Sequence, residues 1–285
     1  MKKQNIYMGF AAVMFFAAGS VVAEDHGHAE PGHGEHGAAA AAECSGFGPQ
    51  TPRDIDRKKG ANTRAFSMAP DYKQMNLCNI HFHENAEHKA RDYSIFAGEG
   101  HDGYGSGYKC NMSTKLSKAE MAPLAKPACK SDHGDLVPGD TIEVHWVHST
   151  ADVKPGKTLG ACLSEKNSNP DLRVEAQVFV LVNDKNALNF NDLGYGGNIV
   201  NGFHQAKAIP GKTGKPVLFT GSTTGPKYTD STCSPLQVTW SVRPQCAKLD
   251  INSIAKWCES NEFGEDHAHG VRKLVTSPKL LSVIK

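Results

Sequence analysis

The run Asn76-Leu77-Cys78-Asn79-Ile80-His81-Phe82-His83-Glu84-Asn85-Ala86-Glu87-His88 constrains this chain most, because it sets three imidazoles and two carboxylates in an apolar, strand-like frame. Read as a strand, period-two alternation sends Asn79, His81 and His83 to one face and Cys78, Ile80 and Phe82 to the other. Two imidazoles then converge on one point, where zinc is the natural occupant. A helical reading fits neither metalloprotease frame: His-Glu-x-x-His needs a histidine at Glu87, and His-x-x-Glu-His needs one at Glu84.

A catalytic zinc takes three protein ligands and keeps one position open. The best source of a third ligand is the second β-rich run, Thr141-Ile142-Glu143-Val144-His145-Trp146-Val147-His148. Glu143 and His145 share a face there, and His148 points the other way. A neighbouring strand brings His145 to the metal; His88 is its rival for the third position. A further pair, His267 and His269 in Glu265-Asp266-His267-Ala268-His269-Gly270, repeats the spacing but falls in an expected loop, and is read as a solvent-exposed polar turn rather than an accessory metal site.

Asn76 to Lys89 together with Glu143-Val144-His145-Trp146-Val147-His148 resembles the delta-class carbonic anhydrases and, more distantly, the alpha class, whose marks are a His-x-His strand and a Glu-x-His-x-Val-His-Trp strand. Gly48-Pro49-Gln50-Thr51-Pro52-Arg53-Asp54-Ile55 is similar to the alpha-class Gln-Ser-Pro opening, and Gln237-Val238-Thr239-Trp240 to its late strand. The order of these motifs makes the resemblance specific over most of the chain after Cys44.

The resemblance implies an α+β, mainly β fold: one domain around a large twisted, mainly antiparallel sheet with short peripheral helices. It implies Zn2+ on His81, His83 and His145, lowering the pKa of bound water to about 7, a value known from carbonic anhydrases themselves, so that carbon dioxide is hydrated to bicarbonate. Glu143 then supports a ligand histidine, and Glu87 accepts from a gatekeeper threonine. Counting from Gly221-Ser222 selects Thr224; counting back from Cys233 and Trp240 selects Thr229 or Thr232. Val147, Val238 and Trp240 form the apolar substrate wall, with Val178 or Val180 as a further candidate. No histidine lies between Gln50 and Ile80, where the alpha-class proton shuttle is found, so His88, His101 and His204 are the candidates. The resemblance also pairs Cys44 with Cys233, and short separation suggests Cys246 with Cys258.

Residues 1–23 read as a signal peptide: Lys2 and Lys3, an apolar run, then Val21-Val22-Ala23 before Glu24. Residues 24–43 are a linker of Ala, Gly and His, including His26, His28, His33 and His36, with too little bulk to pack. Residues 44–285 are the expected catalytic domain. Export to the periplasm or medium makes the eight cysteines readable as disulfides. With a net charge of +1 and dispersed basic residues, no nucleic-acid groove is expected, nor stable membrane insertion once the leader is cleaved. The histidine-rich linker motivates the alternative, an exported zinc-buffering or zinc-delivery protein.

Elsewhere Val174–Val182, Val217–Thr220 and Leu236–Val242 carry the β-branched and aromatic composition of strands. Gly98–Gly107 is an expected surface loop. Ser117–Ala122 is an expected helical turn with a Ser117/Glu120 capping box, and Ile254–Phe263 an expected short helix.

Overall fold

Alternating apolar runs of the expected composition pair with one another. The computed structural model describes residues 43–101, 106–130, 134–225, 227–271 and 275–285. The expected signal peptide and nearly all of the linker, with its four histidines, lie outside the described residues. In chain order the strands are β1 (Asn76–Glu84), β2 (Ile95–Phe96), β3 (Tyr108–Lys109), β4 (Thr141–Ser149), β5 (Leu172–Val182), β6 (Ile199–Val200), β7 (Phe203–His204), β8 (Val217–Ser222), β9 (Gln237–Val242), β10 (Ala247–Asp250) and β11 (His269–Gly270). The helix α1 (Ile251–Glu259) follows β10 directly.

One mixed sheet runs in the order β11-β1-β4-β5-β9-β8, with β10 pairing the far end of β5. Its long pairings, β1 with β4, β4 with β5 and β8 with β9, are antiparallel, while β9 and β10 lie parallel to β5. β2–β3 and β6–β7 are separate two-stranded ribbons. Every residue of β4 is buried, so both faces of the sheet are covered. On one face Ile80, Phe82, Val144, Trp146 and Phe179 cluster with Ile254 and Trp257 of α1. On the other, Val147, Val174, Ala176, Val178, Val238 and Trp240 form a second cluster. Ala41–Lys285 make one compact unit, and among the described residues no helix is long and apolar enough to cross a membrane.

Simple alternation fails at Cys78. The register between β1 and β4 slips between Leu77 and Asn79, so Cys78 is the extra residue of a bulge. It therefore joins the cluster of Val147 and Val174 instead of the one containing Ile80 and Phe82. It is bonded to Cys162; the other disulfides are Cys44–Cys233, Cys110–Cys246 and Cys129–Cys258. The suggested Cys246–Cys258 bridge is thus corrected: Cys246 belongs to one core cluster and Cys258 to the other, with the sheet between.

The helix begins three residues earlier than expected because the Asp250 carboxylate caps it, accepting from the Asn252 amide at 3.1 Å. It ends at Glu259, before Asn261 bonds back to the Trp257 carbonyl. Ser117 and Glu120 do exchange reciprocal bonds, yet they close a turn and not a helix.

Candidate metal centre

The register that opposes β1 and β4 places His81 directly across from His145 and His83 across from Glu143. One ring nitrogen from each of His81, His83 and His145 lies within 4.8 Å of the others. His81 Nε2 and His145 Nδ1 lie 3.3 Å apart. Asn79 donates its amide to the Gly156 carbonyl, so its Oδ1 can only accept, and His81 Nδ1–H donates to it at 2.7 Å. His145 Nε2–H likewise donates to Glu143 Oε1 at 3.1 Å. Both inner nitrogens are then left with lone pairs facing each other. His83 brings one further ring nitrogen within 4.8 Å of that pair, and its Nδ1 is buried without a hydrogen-bond partner. A cation among the three nitrogens answers the facing lone pairs, and the set fits a metal ion.

Electrostatics keep the His81 and His83 rings neutral, the form that ligates. Burial lowers the His81 pKa well below the ordinary histidine value, and His145 and His83 beside it lower it further. Burial also brings His83 down to about 4, against the pull of Glu87. Behind them Glu143 is fully buried. Burial alone raises its pKa, but His88 and the hydrogen bonds from His145 and His88 outweigh this and hold it well below the usual carboxylate range. His88 gives Glu143 both its backbone N–H, at 3.0 Å, and its Nδ1–H, at 2.7 Å. For Glu87 too, the neighbouring rings of His83, His145 and His88 outweigh burial and lower the pKa.

The three histidines open onto a cavity of about 360 Å³, with Val147, Leu172, Val174, Val238 and Trp240 as its apolar lining and Glu87, Thr223 and Thr224 as polar neighbours. A nonpolar pocket beside a metal-ready triad, on strands of this order, is what the resemblance to carbonic anhydrases requires. The family model for delta carbonic anhydrase matches residues 72–253. The chain belongs to the delta carbonic anhydrase family. The enzyme is therefore a carbonic anhydrase, a lyase of the family that hydrates carbon dioxide reversibly to bicarbonate. No curated protein matches the chain.

In this carbonic anhydrase the expected wall residues Val147, Val238 and Trp240 all line the cavity. Val178 and Val180 do not; Val174 and Leu172 take the place beside the three histidines, because His145 pairs with Ala176 and the cavity lies toward the start of β5. Of the three threonines only Thr224 lines the cavity; Thr229 and Thr232 are exposed and bridge each other. His88 is completely buried, with its Nδ1 on Glu143, so it has no route to solvent and sits as a support for Glu143. The alternative grouping of His88, Glu143 and His145 is a closed hydrogen-bonded set. His204 bonds Tyr195 Oη at 2.7 Å and does not line the cavity; nor does exposed His101.

The polar turn expected at His267 and His269 is corrected. His269 pairs with His83 through β11 and lines the cavity, its Nε2–H on Glu265 Oε2 at 2.7 Å. The repeated His-x-His spacing marked it, but only strand pairing places it.

Proposed function

We propose that this carbonic anhydrase is a zinc enzyme in which His81, His83 and His145 hold the ion. The observation that carries the reading is the set of unsatisfied imidazole nitrogens converging at the polar end of an otherwise apolar cavity. When bound, zinc supplies a Lewis acid that makes water nucleophilic near neutral pH. Asn79 and Glu143 fix the tautomers and ring orientations of His81 and His145.

Glu87 Oε2 is buried without a hydrogen-bond partner, 4.0 Å from both His83 Nε2 and His145 Nε2. We assign Thr224 as the hydroxyl that donates to it. A Thr224 proton committed to Glu87 leaves the Thr224 oxygen as acceptor, which orients the reacting water. Val147, Val238 and Trp240 receive uncharged carbon dioxide and give a charged product no hydrogen bond, favouring its release.

Four disulfides and the apolar run before Ala23 support export, with residues 1–23 removed, 24–43 a tether and 44–285 the catalytic domain. The test is carbon dioxide hydration by stopped flow before and after chelation, and after zinc is restored. Activity should vanish and return. Zinc uptake with no hydration would reject the enzyme reading in favour of zinc buffering.

A further inference from the structure

We propose that the Cys78–Cys162 disulfide and the loop it anchors form a clamp that sets the orientation of the His81 ring. The inference rests on His81 being a zinc ligand and goes beyond that reading to name what positions it.

The bulge at Cys78 immediately precedes Asn79, the residue whose Oδ1 holds His81 Nδ1–H. A bulge re-aims the side chains beside it, so anything that holds the bulge also aims Asn79. Three ties converge on it. The Gly156 amide donates to the Cys78 carbonyl at 3.0 Å, and the Asn79 amide donates to the Gly156 carbonyl at 3.1 Å. The third tie is the disulfide from Cys78 to Cys162, both fully buried. Ser149 on β4 in turn bonds the Cys162 carbonyl at 2.7 Å, which fastens the far end of the loop to the strand carrying His145. Between Gly156 and Cys162 the same loop supplies Thr158 and Leu159 to the cavity lining. The clamp thus couples a cavity wall to the tautomer of one ligand. Without it Asn79 keeps its side chain but not its aim. Outer-shell partners of metal-bound histidines are worth about 10- to 100-fold in metal affinity.

The experiment compares zinc affinity, by competition with a chromophoric chelator, in wild type, Cys78→Ala/Cys162→Ala and the control Cys129→Ala/Cys258→Ala. The control opens a bridge on the opposite side of the sheet. The first pair should bind zinc about 10- to 100-fold more weakly and shift or broaden the His81 imidazole N–H resonance, while the control keeps wild-type affinity. Affinity within twofold of wild type, an unmoved His81 resonance, or an equal loss in the control overturns the proposal.

Should the first pair not fold, wild type alone decides the matter, since coupling between clamp and metal is reciprocal. Zinc must then slow hydrogen exchange of the Gly156 amide about tenfold or more beyond any slowing of the Leu136 amide, bonded to Ala128, which takes only the gain in global stability. No effect at Gly156 overturns the clamp. His81→Ala with undiminished zinc affinity would instead reject the ligand assignment itself.

Discussion

His81 and His145 face each other across β1 and β4 with Nε2 and Nδ1 3.3 Å apart, each ring's other nitrogen already donating to an oxygen. Two facing lone pairs repel, so the metal-free fold carries a local penalty that a cation removes. Zinc at about 100 times its Kd adds about 2.7 kcal/mol of stability. For a chain of this size that raises Tm by about 5 to 10 °C. Differential scanning fluorimetry with disulfides intact should record the rise; an unchanged Tm would mean that zinc does not bind the native state.

Glu143 holds two rings at once, taking both His145 Nε2–H and His88 Nδ1–H on Oε1. Glu143→Gln keeps the shape but puts a neutral amide where a charge was, so ligand basicity and ring orientation both suffer. Zinc affinity should fall about 10- to 100-fold with the far-UV circular dichroism unchanged. An unaltered affinity would remove Glu143 from the supporting set.

Thr224→Val should lower kcat on the order of 100-fold at full zinc occupancy, because water then loses the acceptor that orients it. Thr229→Val and Thr232→Val, whose residues are exposed and bridged to each other, should leave kcat as it was. The opposite pattern would move the gatekeeper role out of the cavity.

His148, on the face of β4 away from His145, is buried with Nδ1–H on the Trp146 carbonyl and Nε2 without a partner. Burial, partly offset by the Trp146 bond and reinforced by Arg173, lowers its pKa from 6.5 to about 3. Between those values the unfolded chain binds a proton that the folded chain refuses, so stability falls as pH drops through that window. Above it the group is neutral in both states and contributes no slope. The expected slope from this residue is up to about 1.4 kcal/mol per pH unit. Urea unfolding at pH 7 and pH 5 should show a smaller decline in His148→Gln than in wild type; equal declines would exclude it.

Strand patterning was legible where two-residue alternation ran unbroken. It put Asn79, His81 and His83 on one face of their strand and Glu143 and His145 on one face of theirs, because each strand needs only its own sequence for that. It misplaced Cys78, since a bulge is a property of two paired strands and its signal is absent from either alone. It named Val178 or Val180 for the wall and passed over Val174 for the same reason: they share parity, and only the pairing of His145 with Ala176 chooses among them. His269 was visible as a histidine but not as part of the cavity, which depends on the two-residue strand β11 meeting β1. The suggested Cys246–Cys258 bridge failed because separation along the chain says nothing about a sheet standing between two sulfurs.

X-ray absorption at the zinc edge on the loaded enzyme tests the central assignment most directly. Three imidazole nitrogens and one non-protein oxygen, all at about 2.0–2.1 Å, are predicted, with one imidazole fewer in each of His81→Ala, His83→Ala and His145→Ala. A sulfur in the shell, a fourth protein ligand, or an unchanged imidazole count in any of the three variants would contradict it.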